Sequence, residues 1–359
     1  MSLGYLDDTG PPNAVIYGCS GAALTGEERR FFTEVRPTGF ILFERNCLNP
    51  DQVLRLVTEL KEITGRAGTP VLIDQEGGRV QRLKPPNWPA RPAAASFQAL
   101  ALHDPALAGE AVRLNAELIA TELLDIGITV DCAPVLDVPA PGSHDIIGDR
   151  AFGDDPDTVA ALGLAAAEGF LSRGVVPVIK HIPGHGRAAA DSHHDLPVVA
   201  AAAAELEKTD FPPFRALGHM PWAMTAHVVY TALDKDNPAT TSEKVIRDTI
   251  RGTLGFDGVL ISDDIGMQAL VGTYPERATA ALAAGCDLVL HCSGDMAEMK
   301  DTATGVGPLT GDTVARLARG EAMREAMGQA ARGGMGRAGA DWDAAVARAR
   351  LDDILEAAP

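Results

Sequence analysis

The feature that most constrains this chain is the regular alternation of short, β-branched apolar runs with helix-like segments. Candidate strands fall at Ala14 to Cys19, Gly39 to Phe43, Pro70 to Asp74, Ile128 to Pro134, Val175 to Lys180, Trp222 to Ala226, Gly258 to Ser262 and Leu288 to Cys292. Runs of this kind separated by helical segments are the mark of βα units and a parallel sheet. Helical periodicity is clearest in DQVLRLVTELKEITG, where Val53, Leu54, Leu56, Val57 and Leu60 form one apolar stripe ended by Gly65. Similar segments are AGEAVRLNAELIATELLDIG, PDTVAALGLAAAEGFLSRG and PERATAALAAG. The fold class expected is therefore α/β, a (β/α)8 TIM-type barrel forming a single domain. An open, doubly wound sheet competes with it, but the GxGxxG turn of that fold is missing after the first strand.

No linker divides the chain into two large halves. PPNWPARPAAAS is Pro-rich but lies between a strand and a helix, so it reads as a long βα loop. Residues 1–310 are expected to form the catalytic barrel. Residues 311–359, rich in Ala and Arg and interrupted by RGGMGRAG, are expected to form a C-terminal helical extension packed on or beside it.

Composition narrows the function. The chain has 359 residues, 46% of them hydrophobic, and a formal charge of -18. So acidic a chain is not expected to bind nucleic acid, which is gripped by clustered Lys and Arg. The N-terminus lacks the basic and apolar regions of a secretory signal, and no apolar stretch reaches the ~20 residues of a membrane span. The five cysteines are odd in number and scattered, which suits free thiols in a reducing compartment. A soluble cytoplasmic protein is expected, with no membrane partner; its oligomeric state is not legible.

In a barrel, chemistry gathers at the C-terminal ends of the strands. VLIDQEGGRVQRL puts Asp74, Glu76, Arg79 and Arg82 directly after an apolar run. GVLISDDIGM does the same with Asp263 and Asp264, VVPVIKHIPGHG with Lys180 and His181, and AMTAHVVY with His227. Carboxylates there are costly to desolvate without a cation, a metal or water. Asp264 reads equally well as a helix cap, His227 as a hydrogen-bonded core histidine, and Arg79 as a clamp on Glu76. Asp263 is the better reactive carboxylate, and Lys180 a ligand-binding charge.

The stretch KHIPGHGRAAADSHHDLP, Lys180 to Pro197, has three readings. As a metal site it fails on spacing, because Pro183 and Gly184 break the helix that His181 and His185 would need, and the zinc patterns are absent. No metal and no cofactor are expected. As a solvated loop it leaves Lys180 unexplained. As a catalytic loop it offers Asp191 and His193, one residue apart, so that the carboxylate orients the imidazole for general acid/base work. His185 reads as a loop-stabilising residue, and Pro183 to Ala190 as a flexible arm able to close over a substrate. A carboxylate nucleophile, Asp263, facing a proton-transfer group is the layout of a retaining glycoside hydrolase.

In order and spacing, DQEGGRVQRL, APVLDV, GDRAFGDDP, KHIPGHG with DSHHDLP, MTAHVVY with PATTS, and SDDIGM resemble glycoside hydrolase family 3, specifically its single-domain bacterial β-N-acetylglucosaminidases of cell-wall recycling. The resemblance implies a retaining β-N-acetylhexosaminidase acting on muropeptides that carry N-acetylglucosamine on 1,6-anhydro-N-acetylmuramic acid. It implies Asp263 as nucleophile, His193 as acid/base and Asp191 as its orienting partner. It further implies that Asp74, Arg82, Arg150, Lys180 and His181 bind the sugar. The alternatives are a family 3 β-glucosidase, a glycoside phosphorylase, or a sugar-binding barrel without catalysis.

Overall fold

All eight apolar runs form strands. They are β1 (Asn13–Gly18), β2 (Pro37–Leu42), β3 (Val71–Ile73), β4 (Val130–Asp131), β5 (Val176–Ile182), β6 (Trp222–Thr225), β7 (Val259–Asp264) and β8 (Leu288–His291). The structure, a computed structural model, describes residues 10–188, 192, 196–333 and 342–357. Every strand pairs in parallel with its neighbours, and β1 pairs with both β2 and β8, with Ile16 opposite Gly39 and Leu290. The sheet therefore closes into a (β/α)8 barrel with no free edge. Side chains alternate across it: Ile16, Leu72, Val178 and Leu290 fill the interior, whereas Val15, Tyr17, Ile73 and Val289 pack under the helices. Burial on both faces is why the strands read as unbroken apolar runs.

The four helical segments that the periodicity predicts form helices, and others join them. The outer ring includes α1 (Gly26–Val35), α2 (Pro50–Thr64), α3 (Pro105–Asp125), α4 (Pro156–Arg173), α5 (Phe211–Ala216), α6 (Tyr274–Ala284) and α7 (Met296–Ala303), with a π-helical segment at Val245–Thr253. In α2 the Asn49 side chain caps the amide of Gln52, Pro50 opens the first turn, and Gly65 ends the helix in the left-handed region. Its buried face holds Val53, Leu56, Val57 and Leu60. Leu54 is 44% exposed and not part of that stripe, because it lies a full 100° round the helix from Val53.

Most strand ends shift by a residue or two from the sequence reading, and two of the shifts bear on the site. The fourth run contracts to Val130–Asp131, although the chain beyond it still lies along β5, with the amides of Val178 and Lys180 donating to the carbonyls of Ala133 and Pro134. Pro134 has no amide with which to continue the ladder. The seventh run extends to Asp264, so both aspartates stand on the strand itself.

Past the barrel, α8 (Gly311–Gly333) packs against α4 and α9 (Ala344–Glu356) against α3. Arg350 meets Glu110 at 2.7 Å and Arg348 meets Glu122 at 3.2 Å. Among the described residues no helix is long and apolar enough to cross a membrane.

Candidate active site

At the C-terminal end of the strands lies a cavity of about 370 Å³, and Asp74, Arg82, Arg150, Lys180, His181 and Asp263 all line it. The barrel thus brings together every sequence-selected site residue that falls within the described part of the chain. Asp191 and His193 lie outside the described residues.

One half of the site is a charge network. Lys180, with 2% of its side chain exposed, reaches Asp74 at 2.8 Å and Glu76 at 2.7 Å. Arg82 holds the other oxygen of Asp74 at 3.1 Å, and Arg150 grips both oxygens of Glu76 at 2.8 and 2.9 Å. Burial alone would raise both carboxyls, but the surrounding cations outweigh it, holding Glu76 at about 2 and Asp74 well below the usual carboxylate range. The turn that presents this set depends on Gly77, whose φ is +100° and whose added Cβ would stand 2.2 Å from the Pro92 carbonyl oxygen. The loop read from PPNWPARPAAAS therefore backs the turn directly.

Beside it, Asp137 is fully buried and ties three groups. Its Oδ2 holds His181 Nδ1 at 2.7 Å, and its Oδ1 accepts the amides of His181 at 3.2 Å and His185 at 2.6 Å. One ring nitrogen of His181 is thereby fixed on a carboxylate and the imidazole is oriented. Asp137 lies in APVLDV, and its signal in the sequence is a carboxylate just beyond an apolar strand. Glu76 is the second carboxylate of the network, which Lys180 joins to Asp74.

The other half of the site is sparse. Asp263 makes no ion pair among the described residues, and its Oδ1 accepts only the amide of Asp264 at 2.8 Å. Burial would raise its carboxyl, but His181, His227 and the Asp264 amide together hold it below the ordinary range. It is thus ionised and unencumbered. Asp264 does not cap a helix; its Oδ1 accepts the amides of Gly266 at 2.9 Å and Cys292 at 3.2 Å, tying the end of β7 to the end of β8. His227 is the hydrogen-bonded core histidine expected of it, its ring nitrogens meeting the Thr240 hydroxyl at 2.7 Å and the Asp264 carbonyl at 3.0 Å.

Two further expectations change. Arg79 does not clamp Glu76; it pairs with Asp149 at 2.8 Å and donates to the carbonyls of Asp145, Ile146 and Ile147, because Arg150 and Lys180 already occupy Glu76. The start of the arm is also anchored. Arg187 reaches Asp210 at 2.6 Å and Glu205 at 2.7 Å, and the carbonyls of Gly186 and Ala188 accept the amides of Ala140 and His144. An added Cβ on Gly186 would lie 2.0 Å from the Val138 carbonyl oxygen, so that glycine serves close approach. His185 ties the arm through its backbone amide, held by Asp137, and its ring packs edge to face on His181.

Comparison with known proteins gives one answer. The model of the glycosyl hydrolase family 3 N terminal domain matches residues 20–316. A β-hexosaminidase from Alkalilimnicola ehrlichii is 41% identical over 283 residues, 78% of this chain and 80% of that protein. The β-hexosaminidase from Bordetella pertussis is 36% identical over 292 residues, 80% of this chain and 82% of that protein. NagZ from Neisseria gonorrhoeae, solved in complex with N-trifluoroacetyl-D-glucosamine, superposes with a TM-score of 0.82 at 32% identity, covering 96% of this chain and 98% of that one. A β-N-acetylhexosaminidase from Beutenbergia cavernae gives a TM-score of 0.71 at 27% identity over 95% of this chain and 96% of that one.

Proposed function

Since the chain belongs to glycosyl hydrolase family 3 and is a β-N-acetylhexosaminidase, we propose that it releases terminal β-linked N-acetylglucosamine from muropeptides, with retention and through a covalent glycosyl-enzyme on Asp263. The observation that carries this reading is the state of Asp263, an ionised carboxylate lining the cavity that forms no ion pair among the described residues. A nucleophile must keep its lone pairs available, and a salt bridge would withdraw them.

In this cycle His193, oriented by Asp191, protonates the glycosidic oxygen while Asp263 attacks the anomeric carbon and the aglycone leaves. His193 then takes a proton from water, whose oxygen displaces Asp263 and restores both groups. Asp74, Arg82, Arg150, Lys180 and His181 bind the sugar hydroxyls, and their mutual ion pairs hold them in position beforehand. No metal or organic cofactor enters this scheme. The muropeptide aglycone rests on the family resemblance, and the assignment to a reducing cytoplasm on five unpaired thiols. We treat residues 1–310 as the catalytic barrel and 311–359 as its helical extension.

The deciding experiment compares turnover of aryl β-N-acetylglucosaminide and aryl β-glucoside, with and without phosphate, in the wild type and in His193→Ala. Hydrolysis confined to the acetamido sugar, indifferent to phosphate, is expected. The variant should lose far more on poor leaving groups than on activated ones, since an activated group needs little protonation. Faster turnover of the glucoside, a phosphorylated product, or equal losses with both leaving groups would each overturn a part of the reading.

A further inference from the structure

Arg79 takes no part in the ion pairs around Asp74 and Glu76, yet it is tied to the segment that supplies one of their partners. Its side chain, 41% exposed, lines the cavity, and its Nε meets Asp149 at 2.8 Å. Its Nη2 lies among three consecutive carbonyl oxygens, those of Asp145, Ile146 and Ile147, at 2.6, 2.9 and 3.1 Å. Consecutive carbonyls point at one atom only where the chain curls around it, and a cation there engages all three with charge-assisted hydrogen bonds. The Arg79 guanidinium is that cation.

The segment curled in this way ends on Arg150. Residues 145–147 form a turn, and Gly148–Arg150 make one short helical turn beyond it. From there Arg150 grips both oxygens of Glu76 at 2.8 and 2.9 Å, and its Nη1 reaches the Ile146 carbonyl at 3.3 Å. One carbonyl thus serves both arginines. The two side chains cross: Arg79 passes from the DQEGGR turn to the segment, and Arg150 passes from the segment back to the same turn. A bidentate grip depends on geometry, so the backbone that carries Arg150 has to be fixed. Stability depends on Arg79 far less. Ile147 is 2% exposed and packs with Val135 and Ala151, which holds the segment to the barrel independently of the guanidinium, and an ion pair as exposed as that of Arg79 with Asp149 contributes little.

We propose that Arg79 is a positioning residue for sugar binding, acting through Arg150 by curling residues 145–147 into the shape from which Arg150 reaches Glu76. The assignment rests on the sugar cavity proposed above. The neighbouring chain also touches the arm, the His144 amide donating to the Ala188 carbonyl at 2.9 Å, so the experiment has to separate an effect on sugar binding from one on proton transfer.

The test is a double-mutant cycle on the full-length enzyme: kcat and KM for 4-nitrophenyl β-N-acetylglucosaminide, inhibition by N-acetylglucosamine, and a thermal melt, for the wild type, Arg79→Ala, Arg150→Ala and the double variant. Arg79→Ala should raise KM and the inhibition constant about tenfold, with kcat changed by less than about threefold and the melting temperature nearly unchanged. In the Arg150→Ala background the same substitution should add less than about twofold, since a residue that acts through Arg150 then has nothing left to position. Should Arg150→Ala fail to fold, Arg150→Lys closes the cycle in its place. Arg79→Lys keeps the charge but not the planar fork, so it should resemble the alanine variant. An unchanged KM in Arg79→Ala, or a full second loss in the double variant, overturns the proposal, the latter because Arg79 would then contact the sugar itself. Wild-type constants in Arg79→Lys, or a fall in kcat at constant KM, overturn it equally. A wild type that N-acetylglucosamine does not inhibit overturns the functional reading instead, so the two failures are distinct.

Discussion

The two halves of the cavity treat charge in opposite ways. On the β3–β5 side, Asp74, Glu76, Arg82, Arg150 and Lys180 neutralise one another through ion pairs of 2.7–3.1 Å. On the β7–β8 side, among the described residues, Asp263 has only a neighbouring amide, and Asp264 bonds two more. The contrast follows the work proposed for each. Groups that position hydroxyls gain from being locked together, since rigidity lowers the entropic cost of binding. A carboxylate that must form a bond gains from being left alone.

That contrast can be broken most severely at Asp263. Asp263→Ala should reduce turnover of an aryl β-N-acetylglucosaminide by about 10⁴-fold or more while leaving the melting temperature nearly unchanged, since no ion pair is lost. Steady-state kinetics with a thermal melt checks both; full activity would remove Asp263 from the mechanism.

The opposite pattern is expected across the cavity. Lys180→Ala leaves Asp74 and Glu76 short of a buried partner, and breaking such a network costs roughly 3–5 kcal/mol. The melt should fall sharply along with sugar affinity. A variant with wild-type stability and weakened binding would show that Lys180 serves the ligand without supporting the fold.

A smaller effect sharpens the comparison. The Glu76 carboxyl is held at about 2, against about 4.3 in an unfolded chain. Because the folded value is depressed, its contribution is complete above about pH 4.3 and is lost as pH falls through about 2. Glu76→Gln should therefore flatten the decline of the melting temperature between pH 5 and 2, leaving a residual slope from Asp74. An unchanged slope would mean that Glu76 is not ionised in the native network.

Much of this was legible residue by residue. Val71 to Ile73 and Val259 to Ile261 announce strands by composition, and Asp74 and Asp263 announce themselves by following them. The identity of the partners was not legible. Arg79 is closer in sequence to Glu76 than Arg150 or Lys180 is, yet it pairs with Asp149. Nothing in the sequence pairs Asp137 with the residues it serves, yet it holds His181 and the base of the arm together.

By itself, the sequence determined the strand–helix alternation, the family likeness, and which residues stand at strand ends, because hydrophobic period and chain order are local properties. Only the tertiary structure decided which charges pair with each other and which carboxylate has no ion pair among the described residues. Those outcomes depend on contacts spanning 106 residues between Asp74 and Lys180 and 44 between Asp137 and His181. Such contacts exist only once the barrel closes and its strand ends converge on one cavity.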